Sequence, residues 1–238
     1  MAENADDATL LELCRVIASH DRAAAARMLD ASPALVVAVI RGGATREDPH
    51  TYFLTAIRHY IYGGDTALHI AAAAHDRATA ESLVTKGAPV RVRNRRGAEP
   101  LHYAADGSPG ESYWDPDAQR SVVEYLIEHG ADPNAYDNSG VAPIHRAVRT
   151  RCSVAVRAFL ENGANARLTN KSGSTPLHLA VQNTGRSDSG TAAAKDEQRR
   201  TIALLLDYGA RPTDTDATGK TVEAAAASGW IRDLLTAG

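Results

Sequence analysis

Four histidines stand in a recurring phrase: Thr66-Ala67-Leu68-His69, Glu99-Pro100-Leu101-His102, Ala142-Pro143-Ile144-His145 and Thr175-Pro176-Leu177-His178. Imidazole is the side chain best suited to ligating zinc or moving protons near neutral pH, so these are the first candidates for chemistry. The spacing argues against a shared metal. Equivalent positions on packed helices lie about 8–10 Å apart, beyond one coordination sphere. Gly219-Lys220-Thr221 has the ending of a phosphate loop, but the position that needs the loop's first glycine holds Asp214, whose carboxylate repels phosphate. There is no His-Glu-x-x-His, no paired-cysteine zinc spacing and no Gly-x-Ser-x-Gly elbow. The chain order therefore brings no nucleophile to a base, no cofactor is expected, and the chain reads as a non-enzyme.

Two other features could hold a partner. Arg91, Arg93, Arg95 and Arg96 crowd one short stretch, and alternation in an extended segment would put Arg91, Arg93 and Arg95 on one side. They read either as an anion contact or as a solvated tip. The segment Ser112-Tyr113-Trp114-Asp115-Pro116 places two large aromatics on a loop. Trp114 reads either as a partner anchor or as a side chain folded down over Tyr103 or Tyr125.

The elements that must position these residues repeat. The histidine steps are 33, 43 and 33 residues. After each histidine comes a Gly-Ala pair at Gly87, Gly130, Gly163 and Gly209, and ten residues later a closing glycine at Gly97, Gly140, Gly173 and Gly219. Thr66 or Thr175 can cap a helix, with Pro176 at its first turn. Leu177, Ala180 and Val181 then share one face. A second helix, such as Val122 to Glu128, ends at a glycine suited to a left-handed C-cap. The ten residues that follow read as a turn-rich finger. One such unit cannot bury its own stripe, so units stack.

This pattern resembles the ankyrin repeat, with its period of about 33 residues and its Thr-Pro-Leu-His-x-Ala signature, complete here at Thr175–Ala180. The resemblance covers roughly Gly64 to the C-terminus. It implies an all-α solenoid of helix-turn-helix units with fingers, arranged as repeats over 64–97, 98–140, 141–173 and 174–219 and a capping repeat over 220–238. Insertions fall near 106–117 and 183–195. Residues 1–63 read as an N-terminal helical cap, with helices over Leu10–Ile17 and Ala23–Leu29. An irregular lead-in follows, in which a helix over Tyr52–Tyr60 or a widened finger would both serve.

Composition is consistent with this. Aromatics make up 5% of the 238 residues, so the core is aliphatic. A net charge of −3 disfavours a general nucleic-acid binder. Two remote cysteines make no disulfide framework, no apolar run approaches membrane length, and the acidic N-terminus does not read as a signal peptide. A cytoplasmic, monomeric protein is the expectation.

The resemblance implies non-catalytic protein binding through the concave face and finger tips, in particular Arg93, Arg95, Tyr136, Asp137, Asn138, Thr169, Asn170 and Lys171, with Trp114 as a further anchor. Ala73, His75, Arg146, Arg149 and Gln182 would be presented on the first helices. The alternatives are polyanion or nucleic-acid binding through the Arg-rich finger and His59, or a regulatory subunit of an enzyme. The partner itself is not encoded in the pattern.

Overall fold

The computed structural model describes residues 7–182, 190–226 and 228–236. The chain divides into two compact units, one of residues 1–104 and 121–132, the other of residues 105–120 and 133–238.

In the first unit, α1 (Asp7–Ala18) and α2 (Arg22–Ala31) form a helix pair. Asp21 ends the turn between them and caps α2, accepting the Ala24 amide. A 3-10 turn (Pro33–Val36) follows, then a hairpin of β1 (Phe53–Leu54) and β2 (His59–Tyr60). Phe53 pairs with Tyr60 and Leu54 with His59, and the chain reverses through Arg58 in the left-handed conformation. The helix considered for Tyr52–Tyr60 is therefore not what forms: the lead-in is a widened finger carrying a short antiparallel ladder. Next come α3 (Ala67–Ala73), α4 (Arg77–Thr85) and α5 (Pro100–Ala104). The core is aliphatic, with Leu10, Leu13, Ile17, Leu29, Leu68, Ile70 and Leu83 buried. Tyr103 joins them because its hydroxyl finds buried partners.

α6 (Pro116–Glu128) begins in the second unit and continues into the first. It starts six residues before Val122, so the end of the first insertion is helical. Asp115 accepts the amides of Asp117 and Ala118 there, and Pro116 fills the first turn. The second unit goes on with α7 (Pro143–Arg149), α8 (Ser153–Glu161), α9 (Pro176–Ala180), α10 (Ala192–Asp207), α11 (Val222–Ala225) and α12 (Gly229–Thr236). Residues 192–195, expected as insertion, are the first turn of α10, capped by Thr191. Residues 183–189 of that insertion lie outside the described residues. Ile144, Val156, Phe159, Leu177, Val181, Ile202 and Leu205 fill the core.

The fold class is the expected one: all-α, built from helix-turn-helix units linked by turn-rich fingers. Among the described residues, no helix is long and apolar enough to cross a membrane.

Candidate functional site

Each finger is closed by the same device. Three residues before the closing glycine stands Asn94, Asp137, Asn170 or Asp216. Its side-chain oxygen accepts two backbone amides: Arg96 and Ala98, Ser139 and Val141, Ser172 and Ser174, or Thr218 and Lys220. All eight distances fall between 2.8 and 3.1 Å. This Asx turn satisfies polar backbone that a ten-residue loop would otherwise leave open. Asp137 and Asn170, expected as partner contacts, therefore spend an oxygen on their own fingers. In the second unit the closing glycines also allow neighbouring fingers to touch. A Cβ on Gly140 (φ +69°) would sit 2.9 Å from the Lys171 Cβ, and one on Gly173 (φ +72°) 2.3 Å from the Ala217 amide nitrogen.

The recurring histidines tie helix starts to fingers. His69, His145 and His178 accept the amides of Thr66, Ala142 and Thr175 at Nδ1, each at 3.2 Å. A backbone amide can only donate, so the proton is on Nε2. From there His69 donates to the Ala98 carbonyl, His145 to Leu168 and His178 to Lys220. His102 repeats the first half of this pattern on the Glu99 amide. Burial holds the pKa values of His69 and His145 below the usual 6.5, favouring the neutral ring these bonds require. Among the described residues, no group of three or more His, Cys, Asp or Glu is placed to hold a metal ion.

Both cysteines are buried thiols. Burial pushes Cys14 far above the ordinary thiol range and Cys152 up to about 12, so neither supplies a thiolate near neutral pH.

The arginines of the first finger do not line one side of a strand. The finger is a turn, and its side chains diverge. Arg91 reaches Glu99 and Asp132, Arg93 donates to the Gly97 carbonyl of its own finger, and Arg95 donates to the Ala44 carbonyl. Arg95 and Arg96 both flank the Tyr62 ring, at 5.6 and 4.3 Å from its centre.

In the second unit, Tyr136 is 39% exposed and donates its hydroxyl to the Thr169 carbonyl at 2.7 Å, which fixes the ring across two fingers. Asn138 and Lys171 are exposed beside it. Trp114 is not a free anchor. Its indole Nε1 donates to Gln119 at 2.8 Å, and the same Gln119 oxygen accepts from the Cys152 thiol. Tyr113, at 50% exposure, is the more open aromatic of that insertion. Among the first-helix candidates, Arg149 and Gln182 are exposed, Ala73 and His75 are half-buried, and Arg146 is ion-paired to Asp106.

One buried residue was not visible as a candidate. The fully buried Asp65 accepts from Asn94 Nδ2 (2.8 Å), the Tyr103 hydroxyl (3.0 Å) and the Tyr62 amide (2.7 Å). Three donors and no solvent make it a structural hub joining lead-in, finger and helix. The only signal in the sequence is an acid immediately before the Thr66 cap.

Comparison with known proteins agrees with this geometry. Residues 23–137 match the family model for ankyrin repeats (3 copies), and residues 121–180 the model for ankyrin repeats (many copies). A putative ankyrin repeat protein of Rickettsia felis is 33% identical over 97 residues, 41% of this chain and 23% of that protein. The E3 ubiquitin-protein ligase KEG of Arabidopsis thaliana is 36% identical over 96 residues, 39% of this chain and 5% of that protein. The chain thus matches less than a quarter of the length of either relative. The finger turns, the histidine bonds and these matches agree that the chain belongs to the ankyrin repeat family.

Proposed function

We propose that this chain is a non-catalytic binding module that holds a protein partner on its finger tips and the adjoining first helices. Ankyrin repeats are generally protein–protein interaction modules. The observation that supports this reading here is the identical Asx closure of the fingers, which presents exposed side chains on backbone that is already ordered. A partner then meets a preformed surface, and little conformational entropy is lost on the module's side. Tyr136 suits an anchor, because its ring is exposed while its hydroxyl is fixed. Asn138, Lys171, Arg149 and Gln182 supply polar rim.

Affinity capture from native cell extract, with the wild-type chain beside a Tyr136→Ala/Lys171→Glu variant, tests this. A protein retained by the wild type and lost by the variant is the expected result. The same protein on both would remove the second unit's tips from the binding surface. Recovery of nucleic acid alone, released by salt, would replace the reading with polyanion binding.

A further inference from the structure

Several guanidinium groups among the described residues face a carboxylate. Arg22 pairs with Asp76, Arg91 with Glu99, Arg120 with Glu161, Arg146 with Asp106, and Arg167 with Asp214. Arg46 and Arg96 have no acidic partner among the described residues, and both are exposed. They meet at one place. The lead-in and the first finger wall an open concavity of about 380 Å³ whose lining includes Arg46, Arg95, Arg96, Pro49, Tyr60 and Tyr62.

The arrangement is fixed from several sides. The Arg95 amide donates to the Gly63 carbonyl at 2.7 Å, its guanidinium reaches the Ala44 carbonyl, and Arg96 lies against Tyr62. A guanidinium held on a ring keeps its charge and loses little further freedom when it binds. Tyr60 is 39% exposed, with Phe53 against its ring at 4.7 Å. Of the acids nearby in sequence, Asp48 is engaged by the Thr45 and Thr51 segment, accepting the Thr51 amide, and Glu47 adjoins Arg46. The lining therefore combines fixed positive charge with an apolar floor.

We infer that this groove receives an acidic segment of a protein partner, with one large apolar or aromatic side chain seated between Pro49 and Tyr60 and carboxylates meeting Arg46 and Arg96. This deepens the protein-binding reading and rests on it. An open trough suits an extended chain better than a small molecule, which is usually mostly enclosed. Single-stranded nucleic acid fits less well, because Tyr60 and Tyr62 already have a neighbour on the ring and offer poorer stacking platforms.

The test is selection of a random peptide library displayed on phage against the full-length chain, with fluorescence anisotropy on the enriched peptides. The expected result is peptides rich in Asp and Glu around an apolar residue. Their binding should weaken roughly tenfold or more in Arg46→Glu/Arg96→Glu and stay unchanged in Arg27→Glu, a charge reversal at an exposed residue of α2 outside the groove lining. An unchanged melting temperature for the charge-reversed variant shows that its fold is intact. Neutral or basic enriched peptides, acidic peptides that bind both chains equally, or no enrichment would each overturn the groove assignment. So would an oligothymidine that binds through Arg46 and Arg96 where peptides do not. A partner captured from extract through Tyr136 would leave the wider reading standing in all these cases.

Discussion

The first finger with its lead-in and the later fingers of the second unit share one skeleton and differ in surface chemistry. Asn94 and Asp137 accept the same pair of amides at the same spacing. Near Asn170, Arg167 grips Asp214 with two hydrogen bonds at 3.0 and 2.6 Å. Burial alone would raise the Asp214 carboxyl, but Arg167 and the Arg211 amide hold it below the ordinary value. Around Asn94, Arg91 meets Glu99 and Asp132, while Arg95 and Arg96 face the Tyr62 ring and Arg95 also a backbone carbonyl. The repeat thus decides where a tip stands, and the residues outside the repeat pattern decide what it offers.

The strongest way to break this parallel is through the helix faces that both regions share. Leu68 and Leu177 occupy the same repeat position and are fully buried. Changing either to Ala should cost about 2–5 kcal/mol, read as a lowered denaturation midpoint. A negligible effect at one of them would mean the two helices are not equivalent. The finger caps should separate the regions. Asp137→Ala loses one Asx turn, at about 1–2 kcal/mol. Asn94→Ala also takes one of three donors from the buried Asp65 and one partner from the Tyr103 hydroxyl, so about 2–4 kcal/mol is expected. Equal losses by urea denaturation would remove the distinction.

Acid should affect both regions alike. His69 and His145 have folded pKa values below 6.5, so the unfolded chain takes up protons first as pH falls. Their contribution is complete above pH 6.5 and is lost progressively as pH drops from there towards the lowered folded values. Melting temperature should fall between pH 7.5 and 5.5, and His145→Ala should flatten the slope. A steeper slope in the variant would contradict the neutral-ring assignment. The smallest effect is a gain. His20 is exposed with φ +59°, so His20→Gly should stabilise by about 1 kcal/mol in a thermal melt.

Much of the fold was legible because it rests on spacing. The Thr-x-Leu-His phrases and Gly-Ala pairs mark helix starts and ends directly. The N-terminal helix pair reads from sequence as a cap on the stack, a degenerate first unit, but its residue-by-residue match is harder to see: Ser19-His20-Asp21-Arg22-Ala23 mirrors Ala74-His75-Asp76-Arg77-Ala78. Both stretches put a histidine in the left-handed turn before an aspartate cap. The two lie 55 residues apart, not 33, because the lead-in intervenes, and that offset hid the match. The site was less legible. Side-chain direction in the first finger follows from a turn closed by Asn94, which alternation could not anticipate. Trp114 depended on Gln119, a contact that hydrophobicity alone does not reveal.

Each compact unit also carries one thiol sealed from solvent, Cys14 in the first and Cys152 in the second, both 0% exposed. A thiol-reactive dye can label either only when the packing around it opens. Labelling rates in dilute urea, resolved by peptide mass, would therefore clock the opening of each unit separately. Without any added probe, the native chain can report whether its two units come apart together or in turn.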